Sequence, residues 1–283
     1  MTIDEQHLKQ WIGRQDRQSD LLVPAPLNAL AATLDRDDVP YVTETAVPLL
    51  WHWLYFLPIA RQSAVGSDGH PRRGGFLPPI SLPRRMWAGG RLSFHGSLPV
   101  GAEVERLSTI VDVSHKSGRS GDLVFVKLVH ELAIAGDLRV REEQDIVYRD
   151  PPRHGDPSPV PQLAPSGVQW VRQVEPDPVL LFRYSALTFN GHRIHYDRPY
   201  ATHEEGYPGL VVHGPLIATL LMNLLRDEHP QAQVRAFSFR AVRPLFDLRP
   251  FRLCGKLESD GSVRLWAQDD EGFLCMDARA ELV

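Results

Sequence analysis

Four of the twelve histidines of this chain fall within 22 residues of its second half. They are His192, His195, His203 and His213. Imidazole titrates near neutral pH, so such a cluster can exchange protons with a bound substrate. The same rings can ligate a metal ion, or they can serve only to bond the backbone of a loop. The residue types around them discriminate between these interpretations.

Acid–base chemistry on a bound carbonyl compound is favoured by two neighbours of the cluster. Asn190 precedes His195 by five residues, and its amide can orient a water molecule or a substrate. Gly214 opens a strongly apolar segment that predicts a helix, and a free N–H at a helix start stabilises an oxygen that gains negative charge. A histidine beside such an N–H suits enolate-type chemistry on a thioester.

A metal site is the weaker interpretation. His192 and His195 form an HxxH pair that would need His203 or His213 as a third ligand. No HExxH motif or carboxylate signature accompanies them, and Arg193 between them would repel a cation. We therefore predict no metal.

The sequence around the cluster resembles a known family. Phe189–Asp197 reads FNGHRIHYD, and His213-Gly214 follows it. This pattern is similar to that of the MaoC-like, hydratase-2 family of hot-dog enzymes, whose motif is Gly-Asp-x-Asn-Pro-x-His followed by a His-Gly pair that opens the central helix. It is most similar to the branch of mesaconyl-C4-CoA (3-methylfumaryl-CoA) hydratases and type 2 hydroxyacyl-thioester dehydratases. The first half resembles this branch at residues 49–58, 83–90 and 118–121.

The resemblance implies three catalytic positions. His195 matches the catalytic histidine, Asn190 stands where the wider family has its catalytic Asp, and Gly214 would hold the thioester oxygen. An amide cannot deprotonate water, so either His195 handles the proton alone or Asp197 assists it.

A second set of residues is expected to bind the substrate. It comprises His192, Arg193, Asp197, His213, Tyr184 and Tyr207. Arg193 either anchors its loop to an acidic side chain or pairs with a CoA phosphate or a substrate carboxylate, since Arg grips such groups bidentately. The same question applies to Arg84, Arg85 and Arg119. Tyr184 and Tyr207 are expected to pack at the pocket wall, where a hydroxyl contact to substrate is open to them.

The expected function is reversible addition of water to an α,β-enoyl-CoA, with mesaconyl-C4-CoA or a related branched dicarboxylyl-CoA such as itaconyl-CoA as substrate. No cofactor is expected beyond the coenzyme A of the substrate. One alternative is a 3-hydroxyacyl-thioester dehydratase of fatty-acid metabolism. An alternative of another class is a non-catalytic acyl-CoA-binding hot-dog protein.

The organisation of the chain predicts two units. The chain has 283 residues, and residues 150–166 hold six prolines, which suit neither helix nor sheet. We therefore divide it into 1–150, a degenerate hot-dog unit; 151–166, a linker; and 167–283, the catalytic unit. Each half is long enough for its own core.

The two halves share a pattern. Pro48 and Pro215 each precede an apolar stripe of helical period, which predicts one long central helix per half. Strand-like segments with tight turns follow at residues 103–113, 123–135, 138–148, 234–242, 251–258, 262–268 and 273–283. Helices followed by such strands predict an α+β fold whose two antiparallel sheets join edge to edge. The resemblance implies that this fold is a tandem double hot-dog. Residues 2–17 are predicted as a further helix, with Thr2 in its capping box.

Charge and hydropathy exclude other classes of protein. The net charge of −4 does not suit a broad nucleic-acid surface. The longest apolar stretch, Leu210–Leu225, contains His213 and Asn223, so no membrane span is expected. The N-terminal residues carry no apolar core of a signal peptide, which favours the cytoplasm. Exposed sheet surface favours a homodimer.

Overall fold

A computed structural model describes residues 3–38, 40–118, 121–151 and 160–283. Its α-helices in these ranges are α1 (Glu5–Lys9), α2 (Pro24–Thr33), α3 (Pro178–Leu187) and α4 (Gly214–Glu228). The strands of the first half are β1 (Gln15–Leu21), β2 (Arg84–Phe94), β3 (Glu103–Gly118), β4 (Gly121–Ile134) and β5 (Asp137–Arg149). Those of the second half are β6 (Trp170–Val174), β7 (Val234–Ala241), β8 (Phe251–Leu257), β9 (Val263–Gln268) and β10 (Leu274–Leu282).

All ten strands form one antiparallel sheet in the order β1-β3-β4-β5-β2-β7-β10-β9-β8-β6. Counted inward from its own edge of the sheet, each half places its first, third, fourth, fifth and second strands in that order. The two units therefore have the same topology. They meet where β2 pairs with β7, from Gly89 opposite Arg240 to Ser93 opposite Ala236. The predicted strands and the prediction that the two sheets join edge to edge are confirmed.

Two glycines of β2 permit this junction. A Cβ on Gly89 would lie 2.6 Å from the carbonyl oxygen of Phe239, and one on Gly90 would lie 2.8 Å from its ring. Both distances are shorter than side-chain carbons tolerate, so any larger residue would push β2 away from β7. The Gly-Gly pair thus keeps the sheet continuous across the two halves.

The helix predicted after Pro215 is confirmed as α4, which is 15 residues long. Pro215 lies in its first turn, where the missing N–H costs nothing. Nine of its residues are buried, and it packs against β8, β9 and β10. The apolar stripe therefore forms the core of the second half.

The prediction of a long helix after Pro48 is wrong. Leu50 has a left-handed backbone with φ of 71°, and only a 3-10 turn follows, Trp51–Leu54. The indole N–H of Trp51 donates to Asn223 in α4 at 3.2 Å, and that of Trp53 donates to buried Glu142 at 3.1 Å. Because these aromatic side chains reach partners on different elements, the segment does not follow the single stripe that its sequence suggests.

Three strands, β1, β2 and β6, lie where the sequence predicts none. β2 lies in the glycine- and arginine-rich segment before the first-half strands, and β1 begins inside the helix predicted for residues 2–17, which is limited to α1 with Asp4 as its N-cap. β1 is an edge strand, so its seven residues, QDRQSDL, need no apolar alternation. Thr2 lies outside the described residues.

The larger hydrophobic core runs through both halves, and a smaller one lies under the long strands β3, β4 and β5. Both cysteines, Cys254 and Cys275, are buried. Residues 152–159, the middle of the predicted linker, lie outside the described residues, and the boundary at 151–166 stays a prediction. Within the described ranges, none of the helices has the length and apolar character needed to cross a membrane.

Candidate active site

The histidine cluster lies on the segment between α3 and α4, whose turns are fixed by local hydrogen bonds. α3 ends before Phe189, which has a positive φ of 49°. The side-chain carbonyl of Asn190 then accepts a hydrogen bond from the backbone N–H of His192 at 3.0 Å. A 3-10 turn, Arg193–His195, follows. Asn190 thus shapes the turn that presents His195, and its amide NH2 remains a donor.

His195 is buried and fixed in one tautomer. Its Nδ1 lies 2.7 Å from the carbonyl oxygen of Val211, which can only accept, so Nδ1 carries the proton. The N–H of Val211 donates in turn to Ile194 at 2.9 Å, which ties the two segments together. The free lone pair of His195 is therefore on Nε2.

His195 lies directly against the start of α4. Its ring stacks on that of His213, the N-cap of α4, with centroids 3.7 Å apart and an interplanar angle of 18°. Nε2 of His213 lies 2.8 Å from the hydroxyl of Ser185, and the ring of Tyr184 meets His213 edge-on at 5.0 Å. Tyr184 is buried and packs against the ring of His213.

Burial keeps these rings neutral. Desolvation lowers the pKa of His195 to about 4, although the hydrogen bond to Val211 opposes the shift. Desolvation, followed by the charges of His195 and His192, lowers the pKa of His213 well below its ordinary value. At neutral pH, His195 is therefore an unprotonated base with Nε2 as its acceptor.

Gly214 lies beside this base. It is the first residue of α4, so its N–H is in the turn that has no intrahelical acceptor. A Cβ at this position would approach only the carbonyl oxygen of Trp87, at 4.0 Å. The N–H and the helix dipole are thus placed for a substrate oxygen that gains negative charge.

Arg193 and Asp197 bind each other. Nε and Nη2 of Arg193 lie 2.9 and 2.8 Å from Asp197, and Nη1 donates to the carbonyl of Ser67 at 2.9 Å. Asp197 also accepts the N–H of Tyr200 at 3.1 Å. Arg193 therefore occupies the loop-anchoring arrangement, and Asp197 does not take the part suggested for it as an assistant of His195, whose Nδ1 partner is Val211.

A turn of the first half completes the site, although no sequence pattern predicts it. The backbone carbonyl of Asp68 accepts the backbone N–H of Arg193 at 2.9 Å, and the ring of His70 lies 4.2 Å from that of His192. His70 is held by Asp68, with 3.3 Å between Nδ1 and the carboxylate. The turn Ser67-Asp68-Gly69-His70 is more than 100 residues from the cluster, so no spacing rule links the two.

The remaining predicted residues lie further out. Arg84 forms an ion pair with Glu205 at 2.9 Å and stacks over Tyr207, which is half-buried. His203 is exposed. Arg119 lies outside the described residues. Across the described part of the chain, no three His, Cys, Asp or Glu side chains are grouped to hold a metal ion.

Comparison with known proteins identifies the family. The model of the family "hydroxyacyl-thioester dehydratase type 2" matches residues 50–247. A mesaconyl-C(4)-CoA hydratase of Chloroflexus aurantiacus is 51% identical over 275 residues, which are 96% of each chain.

Solved structures confirm the predicted double hot-dog fold. HtdX of Mycobacterium tuberculosis superposes with a TM-score of 0.68 at 18% identity, over 95% of this chain and 100% of that one. A second protein of that organism, described as a double hot-dog, gives a TM-score of 0.58 at 14% identity over 96% of each chain. On the strength of the family match, the chain belongs to the type 2 hydroxyacyl-thioester dehydratases, a family of hydro-lyases.

Proposed function

We propose that this hydro-lyase adds water reversibly to the double bond of mesaconyl-C4-CoA (3-methylfumaryl-CoA) or of a related branched dicarboxylyl-CoA such as itaconyl-CoA. The observation that carries the proposal is the state of His195, a neutral ring with its Nε2 lone pair free and its Nδ1 proton held by Val211. The 51% identity to a mesaconyl-C(4)-CoA hydratase supports the choice of substrate.

The proposed mechanism assigns one task to each group. The thioester oxygen accepts the N–H of Gly214, and the α4 dipole stabilises the enolate that forms. His195 Nε2 removes a proton from water as the oxygen attacks the β-carbon, and the α-carbon of the enolate then takes that proton from the imidazolium. In dehydration, His195 removes the α-proton and gives it to the departing hydroxyl, which leaves as water. The amide NH2 of Asn190 donates to the water and fixes its position.

His192, His213, Tyr184 and Tyr207 are proposed as wall residues around the acyl group, and Arg193 with Asp197 as the pair that keeps the loop in shape. Adding water changes no oxidation state, so the proposed reaction needs no cofactor beyond the coenzyme A of the substrate. We further propose a cytoplasmic homodimer in which the free edges, β1 and β6, or an outer sheet face are covered. Sedimentation of the purified protein tests the dimer.

The second candidate is dehydration of 3-hydroxyacyl thioesters in fatty-acid metabolism, which the family match favours. The third is acyl-CoA binding without turnover. A pure binder would not need a histidine held in one tautomer beside a free helix N–H, and this geometry favours an enzyme.

The test is a spectrophotometric assay at the enoyl-thioester absorbance, with mesaconyl-C4-CoA, crotonyl-CoA and a long-chain enoyl-CoA. The proposal expects the highest kcat/KM with mesaconyl-C4-CoA. A preference for the long chain would favour the dehydratase, and absence of turnover with all three would favour the binding protein. His195→Ala serves as the inactive control.

A further inference from the structure

We infer that Arg85 is the residue that binds the free carboxylate of the acyl group. The inference rests on the proposed function, since only a dicarboxylyl thioester carries such a group. It assigns a specificity determinant on β2, a strand of the first half, to a reaction whose base is in the second half.

Three other arginines, near Arg85 in the chain or on the histidine loop, already have partners. Arg193 is paired with Asp197, and Arg84 with Glu205. Arg73 donates to the carbonyls of Ile80, Leu82 and Pro83.

Arg85 differs from these three. Among the residues that the structure describes, no carboxylate or carbonyl accepts a hydrogen bond from it, and its side chain is half-buried. A guanidinium that is partly withdrawn from water without an anion is unfavourable, which predicts an anionic ligand.

The neighbours of Arg85 place it at the site. It is paired across β2 and β5 with Tyr148, which is fully buried. Burial raises the pKa of the Tyr148 hydroxyl, and the charge of Arg85 and its contact with that hydroxyl oppose the rise. The positive charge of Arg85 also contributes, after desolvation, to lowering the pKa of both His70 and His192. The ring of His192 lies 5.4 Å from that of His195. A guanidinium that has no carboxylate partner among the described residues thus lies near the histidine proposed as the base.

The chemistry of the substrate requires a cation there. In 3-methylfumaryl-CoA, the free carboxylate is on the β-carbon, the atom that receives the hydroxyl group. A group that holds this carboxylate must therefore lie next to the base.

β2 connects Arg85 with the start of α4. Arg85 and Trp87 are two residues apart on the strand, so their side chains share one face of the sheet. The carbonyl oxygen of Trp87 lies 4.0 Å from the Cβ position of Gly214. In the proposed arrangement, the thioester oxygen lies at Gly214 and the carboxylate at the guanidinium of Arg85. Strand alternation directs Arg84 to the opposite face.

The test measures binding without turnover. Succinyl-CoA carries a carboxylate on the saturated β-carbon, and butyryl-CoA carries a methyl group in its place. By titration calorimetry, the wild type is expected to bind succinyl-CoA about 10- to 100-fold more tightly, the range for a charge-assisted bidentate contact. Arg85→Gln should abolish this preference and leave the Kd for butyryl-CoA nearly unchanged.

Two further variants complete the test. Arg91→Gln is the matched control, because Arg91 is on the same strand but pairs with Glu143 and Asp145; it should keep the preference. Arg85→Lys keeps the charge without the planar fork and should keep part of it. Both Arg85 variants should melt close to the wild type, because Arg85 forms no ion pair with the described residues.

Persistence of the preference in Arg85→Gln, or its absence in the wild type, overturns the inference. An equal loss of affinity for both ligands in Arg85→Gln also overturns it. Failure of the proposed function is recognised separately, as absence of hydration of mesaconyl-C4-CoA by the wild type, whatever the calorimetry shows.

Discussion

At the scale of single residues, the chemistry depends on which nitrogen of His195 carries the proton. The carbonyl oxygen of Val211 settles this, because it can only accept a hydrogen bond and Nδ1 must therefore donate. Burial then keeps the ring neutral. In the proposed mechanism the base works without a carboxylate partner. Asn190, whose side-chain carbonyl accepts the N–H of His192 and so shapes the loop, would hold the water with its amide NH2.

Replacement of His195 tests its role directly. His195→Gln keeps the size of the side chain but removes the base, so we expect about a 10²–10⁴-fold loss of kcat for hydration. The circular dichroism spectrum should match that of the wild type. Retention of more than about a tenth of the wild-type turnover, outside the range for a lost base, would contradict the assignment.

At the scale of elements, the site is built from two segments whose backbones approach each other closely at two glycines, Gly69 and Gly191. Gly69 has a φ of +90°, and a Cβ there would overlap the carbonyl oxygen of Gly191. This close approach allows Asp68 to accept the N–H of Arg193 and places His70 against His192. The first half thus supports the catalytic loop through a turn.

Gly69→Ala should separate these segments. We expect it to lower kcat at least tenfold, because a displacement of about 1 Å at a site can cost about 100-fold. Gly13→Ala is the control: Gly13 also has a positive φ, +84°, but nothing lies within 4 Å of its Cβ position. If the two variants lose activity equally, the effect comes from backbone strain and not from the contact.

The junction between β2 and β7 is a second element-scale feature. Gly89→Ala would bring a Cβ to within 2.6 Å of the carbonyl of Phe239, so we expect it to destabilise the protein by about 1–3 kcal/mol in urea titrations. Gly118→Ala, at the end of β3 with open space at its Cβ position, should stay within about 0.5 kcal/mol of the wild type. Equal stability of the two variants would show that the sheet junction tolerates a wider spacing.

At the scale of the whole molecule, five histidines among the described residues have a lowered pKa. They are His70, His130, His192, His195 and His213, and in each the leading cause is desolvation. As the pH falls, the unfolded chain protonates these rings at a higher pH than the folded chain does. The free energy of unfolding is therefore at its full value above the unfolded pKa of about 6.5 and decreases as the pH falls below it.

This predicts sensitivity to acid. The free energy of unfolding should fall between about pH 7 and about pH 5, with a slope of up to about 1.4 kcal/mol per pH unit for each buried ring. Urea titrations across this range measure it. His192→Asn should reduce the slope, whereas His203→Asn removes an exposed ring and should leave it unchanged. A flat profile in the wild type would contradict the prediction.

A buried carboxylate, Glu142, causes a second loss of stability at lower pH. Burial opposes ionisation of Glu142, but the hydrogen bond and charge of His52, with the charge of His130, outweigh it and lower the pKa to about 2. Its contribution is present above the unfolded pKa of about 4.3 and is lost only as the pH falls towards 2. The loss caused by the histidines therefore comes first.

The sequence by itself determined the elements whose patterns are local. The stripe after Pro215 specified α4, and the alternation in the second half specified β9 and β10. These predictions succeed because hydrogen bonds within a helix, and the alternating sides of a strand, are set by neighbours a few residues apart. FNGHRIHYD with His213-Gly214 indicated the family, which the family match confirms. The roles of His195 and Gly214 that the motif implies stay a proposal.

Tertiary structure decided what depends on distant partners. The stripe after Pro48 has the same local pattern as α4, yet Trp51 and Trp53 bind Asn223 and Glu142, and no long helix forms. β1 and β2 form because neighbouring strands supply their hydrogen bonds, not because their own residues alternate. Packing between the halves likewise decides the remaining contacts of the site. It places His70 against His192, pairs Arg193 with Asp197, and leaves Arg85 without a carboxylate partner among the described residues. A side chain's partner is fixed only when the chain has folded.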